Sequence, residues 1–558
     1  MVKRLLHLLH KEISGLHQAA YLLGFFALCS QFLALIRDRM LASNFGATNT
    51  LDLYYAAFRI PDMLFVTAAS IVSISVIIPF LVERFEKSDA AAKEFLDDIF
   101  TFFFCFIVGV GLIAFITAPY ILLLLFPSFI ATGSFDTLVS LTRILLLSPI
   151  FLGFSNLLAS ITQIRKRFFV YAMSPVLYNI GIIFGIMFLY PLYGLVGLGW
   201  GVVIGACMHF AIQLPFVIRQ GLLPSLSFPL RFNAIKRVIY TSIPRTLTVS
   251  SNEIAELFLI SFASFLIPGS ISIFNFSFNL QSVPFSIIGV SYSLAAFPTL
   301  SRFFSRGETG EFVQQMITTS KHIIFWSIPI SIMFIVLRAQ IVRTILGAGR
   351  FNWDDTRLTA AALAIFTISL IAQNLMTLFV RSYYARGKTR TPLIMNVISA
   401  SGIIAISFGL VELFQHNQFF KDFVESLLKV QDISGSVVLM LPLGFTIGVI
   451  LNVCMHWVDF SREFRTYSRE VLSTLFQVLS ASVIMGYVTY IMLNVFDGIF
   501  NVHTGLGIFM QGFVSGIVGI CALVFVLFIL GSVELRMVWQ TLHRKIWKTE
   551  VVPPDAEL

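Results

Sequence analysis

The sequence predicts an all-α polytopic membrane protein. Its fourteen or so transmembrane helices form two six-helix lobes, related by a parallel pseudo-two-fold repeat, plus two C-terminal helices. Three observations predict this: an extreme apolar composition, a sided distribution of basic residues, and an internal repeat. Of 558 residues, 57% are hydrophobic and 12% charged, about half the charge of a soluble domain; the mean hydropathy is +0.88. The net charge of +9 is read as a topology signal, not as nucleic-acid binding. The apolar runs are continuous, which excludes a strand barrel.

A span needs about 20 mostly apolar residues. The pattern gives fourteen, at 19–43, 52–82, 97–125, 137–163, 170–191, 195–218, 235–265, 270–299, 318–340, 355–381, 391–413, 436–458, 471–496 and 504–532. With the N-terminus inside, alternate loops carry the basic groups, among them Arg165, Lys166 and Arg167, then Arg302 and Arg306, then Arg386, Lys388 and Arg390. Inner loops and termini together hold 27 of the 38 Lys and Arg. One orientation therefore satisfies the positive-inside rule, with both termini cytoplasmic.

The halves match at a near-constant shift. Asp136 and Asn156 answer Asp354 and Asn374, both 218 residues on. Pro175 and Asn179 answer Pro392 and Asn396, and Pro79 answers Pro298; Cys207–Phe210 answers Cys454–Trp457 at a larger shift, consistent with an insertion in the outer loop between spans 11 and 12. An even number of spans per repeat keeps both copies in one orientation, with a cavity between lobes. The expected organisation is an interfacial helix at 1–18, an N-lobe at 19–218, a C-lobe at 235–458, an appendage at 471–532 and a cytoplasmic tail at 533–558. The five cysteines form no CxxC pair, so no disulfide framework and no metal site is expected.

Charges inside spans are costly and normally face a bundle interior or a cavity. Five arginines fall there: Arg37, Arg39, Arg59, Arg143 and Arg245. In "FLALIRDRMLASNFG" Arg37, Asp38 and Arg39 stand at the end of the first span. In the second, Asp52 and Arg59 share a face, with Asp62 nearby, and Pro61 should break the helix. In the seventh, Arg245, Asn252 and Glu256 lie on one face at i, i+7, i+11, beside Glu253. In the eighth, Asn275, Asn279, Ser282 and Ser286 form a polar stripe with a kink at Pro284. Such groups either line a cavity or hold helices together; the spacing leaves both open. Arg143, His209 and His456 read as structural residues. No phosphate-binding loop, paired metal ligands or nucleophile–base pattern occurs.

The stretch "SQFLALIRDRMLASNFGATNTLDLYYAAFRIPDML" resembles the first two helices of the MurJ/MviN family of lipid II flippases. "FPTLSRF", "YNIGIIFGIMFLYPLYGLVGLGWGVVIG" and "RSYYARGKTRTPLIMNVIS" resemble later family segments. The resemblance implies a fold of the MOP exporter superfamily and a multi-pass protein of the bacterial cytoplasmic membrane. It implies alternating access that carries an undecaprenyl-pyrophosphate-linked peptidoglycan precursor to the outer leaflet. No enzyme activity and no cofactor are expected; coupling would be to membrane potential or an ion gradient. The expected partners are the lipid-linked precursor and membrane lipids, with no nucleic acid, and the chain is expected to be a monomer. Arg37, Asp38, Asp52 and Arg59 stand at matching positions. Gln31, Phe65, Val66, Ser70, Asn279 and Ser282 stand where family charges are expected. The candidate cavity residues are Arg37, Asp38, Asp52, Arg59, Arg245, Asn252, Glu256 and Asn279. The alternatives are a related exporter of another lipid-linked saccharide or a small cationic compound, and a membrane glycosyltransferase or scaffold with Asp354 and Asp355 on an outer loop.

Overall fold

The computed structural model describes residues 16–71 and 74–547. The interfacial helix expected at 1–18 thus lies mostly outside the described residues, as does the end of the C-terminal tail. Among the described residues all regular structure is helical, and each of the fourteen expected segments contains helix. Among the described residues ten helices are long and apolar enough to cross a membrane, and eleven if the pair Trp353–Ile368 and Leu370–Ala385, bent by 41°, counts as one. The expected count of fourteen is not confirmed by that measure, and the segment expected at 52–82 is interrupted near its start. The short helix Asn49–Ala57 ends before Arg59–Ile71 begins, and the break is at Phe58. Proline at 61 has no N–H for the carbonyl of Ala57 and crowds it, so the helix ends there. Pro284, where a kink is expected, lies inside a continuous helix, and the irregularity comes just after it. The helix Ser270–Phe285 passes into a π turn, Ser286–Val290, before continuing as Ser291–Ser305, a common local solution to a broken hydrogen-bond ladder.

The chain forms two compact units. The first comprises Met1–Ser277, Ile345–Ala362 and Thr389–Gly448. Its core is an aliphatic and phenylalanine cluster around Phe95, Phe103, Leu157 and Ile161. Within it the helices Phe168–Phe184 and Leu195–Ala211 meet through glycine. A Cβ on Gly181 would fall 2.3 Å from Gly205 Cα, and one on Gly201 would fall 2.5 Å from Gly185 Cα. Small residues four apart let two backbones touch where lipid supplies no hydrophobic drive for association. This crossing fixes the helix that carries Asn179.

The second unit comprises Phe278–Thr344, Leu363–Lys388 and Val449–Leu558. Asn374 anchors it, donating to Ser327 Oγ at 2.7 Å. Gly289 lies so close to Asn374 that a Cβ would sit 2.2 Å from its side-chain oxygen. Arg386, with a fully buried side chain, pairs with Glu463 at 2.6 Å. Its guanidinium lies over Tyr383 at 4.7 Å and near Phe460 and Phe464. Lys388 reaches the same carboxylate at 3.2 Å.

Candidate functional site

Three polar clusters in the first unit account for most of the predicted site. The first begins in the helix Leu16–Phe45. Arg37 donates through Nε and Nη2 to one oxygen of Asp38, at 2.9 and 2.8 Å. A third donor, Nη1, reaches Asn179 Oδ1 at 3.4 Å. Asn179 is oriented from behind: its amide donates to Ser30 Oγ at 3.1 Å and to the carbonyl of Pro175 at 3.2 Å. Asp38 is buried, whereas the Arg37 side chain keeps 21% of its surface open. Arg39 points elsewhere and donates to the carbonyl of Ile345 at 3.1 Å.

The second cluster is centred on Arg59. Its Nη1 donates to Glu256 at 2.6 Å and its Nη2 to Asn275 Oδ1 at 2.7 Å, so one guanidinium ties three helices together. The Arg59 side chain is 9% exposed, and its Nε has no hydrogen-bond partner among the described residues. Thr67 and Ser250, 3.4 Å apart, bridge two of the same helices further along. Asp62 lies one turn from Arg59 and lines a small cavity with Phe65, Ser148 and Tyr178.

The third cluster is a carboxylate on a helix N-terminus. One oxygen of Asp52 accepts from the Gly269 amide at 2.6 Å. The other accepts from the Ser272 amide and hydroxyl at 2.7 and 2.6 Å. The first amides of a helix have no partner within it and carry partial positive charge. Asp52, 4% exposed, satisfies them from outside. Gly269 is required here: its φ is +97°, and a Cβ would lie 2.3 Å from the carbonyl of Ala47. The same end of the unit is joined again where the Arg350 amide donates to the Ser43 carbonyl at 2.9 Å and Asp355 accepts from the Ala47 amide at 3.4 Å.

The predicted residues thus separate. Arg37 and Asp38 form one pair, and Arg59 and Glu256 form another across helices. Asp52 is spent on backbone amides. Asn252 is exposed on the helix Phe232–Ser264 and joins neither pair. Arg245 lies on that helix, but its side chain is outside the described residues. Asn279 belongs to the second unit; its carbonyl accepts from Ser282 at 2.7 Å. Ser70, in place of a family acid, bonds its own helix at Val66. His209 is hydrogen-bonded to Ser155 at 2.7 Å and His456 to the Asn452 carbonyl at 2.9 Å.

Sequence reasoning missed two partners. Asn179 was visible only as half of a Pro–x₃–Asn repeat, with nothing to place it beside Arg37. Ser272 acts mainly through its backbone, for which a sequence has no symbol.

The fold is that of a multi-pass α-helical membrane protein and is similar to that of solved transporters of the MOP superfamily. A solved multidrug-resistance MATE family transporter of the MOP superfamily in an inward-facing conformation superposes with a TM-score of 0.61 at 16% identity, covering 79% of this chain and 96% of that one. A lipid II flippase MurJ in an inward closed conformation superposes with a TM-score of 0.68 at 21% identity, covering 95% of this chain and all of that one. Among curated relatives, the lipid II flippase MurJ of Burkholderia cenocepacia is 24% identical over 386 residues, 68% of this chain and 75% of that protein. The probable lipid II flippase MurJ of Thermotoga maritima is 27% identical over 405 residues, 70% and 79% of the two chains. The family model for lipid II flippase MurJ matches residues 41–510. The chain belongs to the MurJ family.

Proposed function

We propose that this chain carries lipid II from the inner to the outer leaflet of the bacterial cytoplasmic membrane by alternating access between an N-lobe and a C-lobe. Family membership over residues 41–510 supports the activity. The observation that carries the site is Arg37: a cation within a span, partly open, with its fork already presented between Asp38 and Asn179. Pyrophosphate carries two or more negative charges, and guanidinium offers it planar paired donors. In a low-dielectric cavity the attraction exceeds its value in water. Asp38 fixes the guanidinium before substrate arrives. Arg59, deeper and doubly engaged, acts as a second, conditional site: substrate phosphate would compete with Glu256 for it. Asn252 completes the proposed lining on the same unit.

In this reading Asp52 is a positioning residue. Its bonds to Gly269 and Ser272 join two segments far apart in sequence, and in this reading opening toward the outside requires them to break. The drive is the membrane potential or an ion gradient; one charge moved through 100 mV supplies about 2.3 kcal/mol. Both termini lie on the cytoplasmic side, as the basic loops require.

Native mass spectrometry of the purified full chain with lipid II tests the site. Binding that exceeds binding of an equally charged phospholipid, and that falls about tenfold in Arg37→Ala, supports it. Binding unaffected by Arg37→Ala refutes the site. Retention of another polyprenyl-pyrophosphate saccharide in preference to lipid II would assign the transport to that cargo, a result that uncharged Gln31, Phe65 and Val66 would explain.

A further inference from the structure

Arg143 stands apart from all of these clusters. It has no acidic partner among the described residues, although it lies within a span. Its position has a definite cause. The helix Asp89–Leu125 contains Pro119, which has no N–H to offer the carbonyl of Phe115 one turn back. Arg143 Nε donates to that carbonyl instead, at 3.2 Å, and the guanidinium lies 4.7 Å from the centre of the Phe115 ring. The head group is therefore fixed, with its two terminal nitrogens left for another partner.

They border a cavity of about 340 Å³, otherwise walled by apolar and aromatic side chains: Val108, Leu112, Phe115, Leu147, Ile150 and Trp200. Leu112 is 58% exposed and Trp200 43%, so the groove opens on the outer surface of the unit. From Arg143 to Ile164 the helical run rises roughly 31 Å at about 1.5 Å per residue. The basic triplet Arg165, Lys166 and Arg167 follows at once. With that triplet at the inner surface, Arg143 lies at the outer edge of a hydrocarbon layer about 30 Å thick, which is phosphate level.

We propose that this groove is a binding site for an anionic phospholipid of the outer leaflet. Its phosphate takes the terminal guanidinium nitrogens of Arg143 and one acyl chain lies along Leu112, Leu147 and Ile150. A fixed arginine without a carboxylate selects a phosphate oxyanion. A predominantly apolar wall disfavours a free ion or a sugar and accepts a chain. The inference rests on the orientation argued above and not on lipid II transport.

The test uses the full chain in nanodiscs and a phosphatidylglycerol probe with a photoreactive acyl chain, adducts being mapped by peptide mass. The expected result is adducts concentrated at 108–115 and 147–150, reduced about tenfold in Arg143→Gln and weaker with the phosphatidylcholine analogue. Gly111→Leu supplies a second, independent variant. No atom lies within 4 Å of a Cβ built at Gly111, so leucine there fills the groove, leaves Arg143 in place, and should also remove the adducts. Labelling no denser than on the lipid-exposed helix Gly505–Ile529, or labelling unchanged in a folded variant, overturns the proposal. No lipid II is present in the experiment, so its outcome is independent of the transport reading.

Discussion

The carboxylate of Asp52 accepts the amide and hydroxyl of Ser272 at 2.7 and 2.6 Å, although 220 residues separate the two. A side chain near the start of the chain thereby caps a helix that begins 218 residues further on, at Ser270. Asp52→Ala should lower thermal stability by about 2 kcal/mol, the scale of a lost helix cap with charged hydrogen bonds. It should also raise labelling of a cysteine placed at Thr48 by an impermeant reagent added outside, in a background without the native cysteines. Asp52→Asn, which keeps one acceptor oxygen, should fall between. Unchanged labelling in Asp52→Ala would show that this cap does not restrain the outer end.

Arg59 and Glu256 should behave as a coupled pair. Removing the carboxylate in Glu256→Ala strands a charge whose side chain is only 9% exposed, at a cost of about 3–5 kcal/mol. Replacing both, as Arg59→Met with Glu256→Leu, should cost less than either single change. A double-mutant cycle by thermal unfolding in detergent measures the coupling, and additive costs would contradict it.

Glycine contacts make a steric prediction with an internal control. Gly201→Leu places atoms where Gly185 Cα already lies, whereas a Cβ on Gly109 meets nothing within 4 Å. The first should abolish the folded, monodisperse fraction in size-exclusion chromatography, and Gly109→Leu should leave it intact.

In the second unit Arg386 has no exposed side-chain surface and is met by Glu463 and several aromatic rings. Arg386→Ala should destabilise by about 3–5 kcal/mol. Arg386→Lys should recover little, because an ammonium cannot stack on the rings while reaching the carboxylate. Equal stability of wild type and the lysine variant, by thermal unfolding, would contradict this.

Much of the fold was legible in residue pattern. The helical segments, the break before Pro61 and the disturbance after Pro284 all follow from local chemistry, since a missing N–H acts wherever the chain goes. Glu256 and Arg59 were each readable as polar faces. Their meeting was not, because helix spacing says which residues share a face and not what that face meets. Asp52 shows the same limit: its partners are backbone amides at a helix start, exposed by the fold rather than by residue type. At 52–82 the apolar length is interrupted at Phe58, because Pro61 removes a helix hydrogen bond that apolar counting does not register.

The central claim is that Arg37 grips the pyrophosphate of a lipid-linked precursor in transit. The most direct test is in cells depleted of their own lipid II flippase and expressing this chain, with a lipid II-cleaving enzyme added from outside. The wild-type chain should allow release of headgroup, and Arg37→Ala at equal membrane abundance should abolish it. Headgroup release undiminished in Arg37→Ala would contradict the claim.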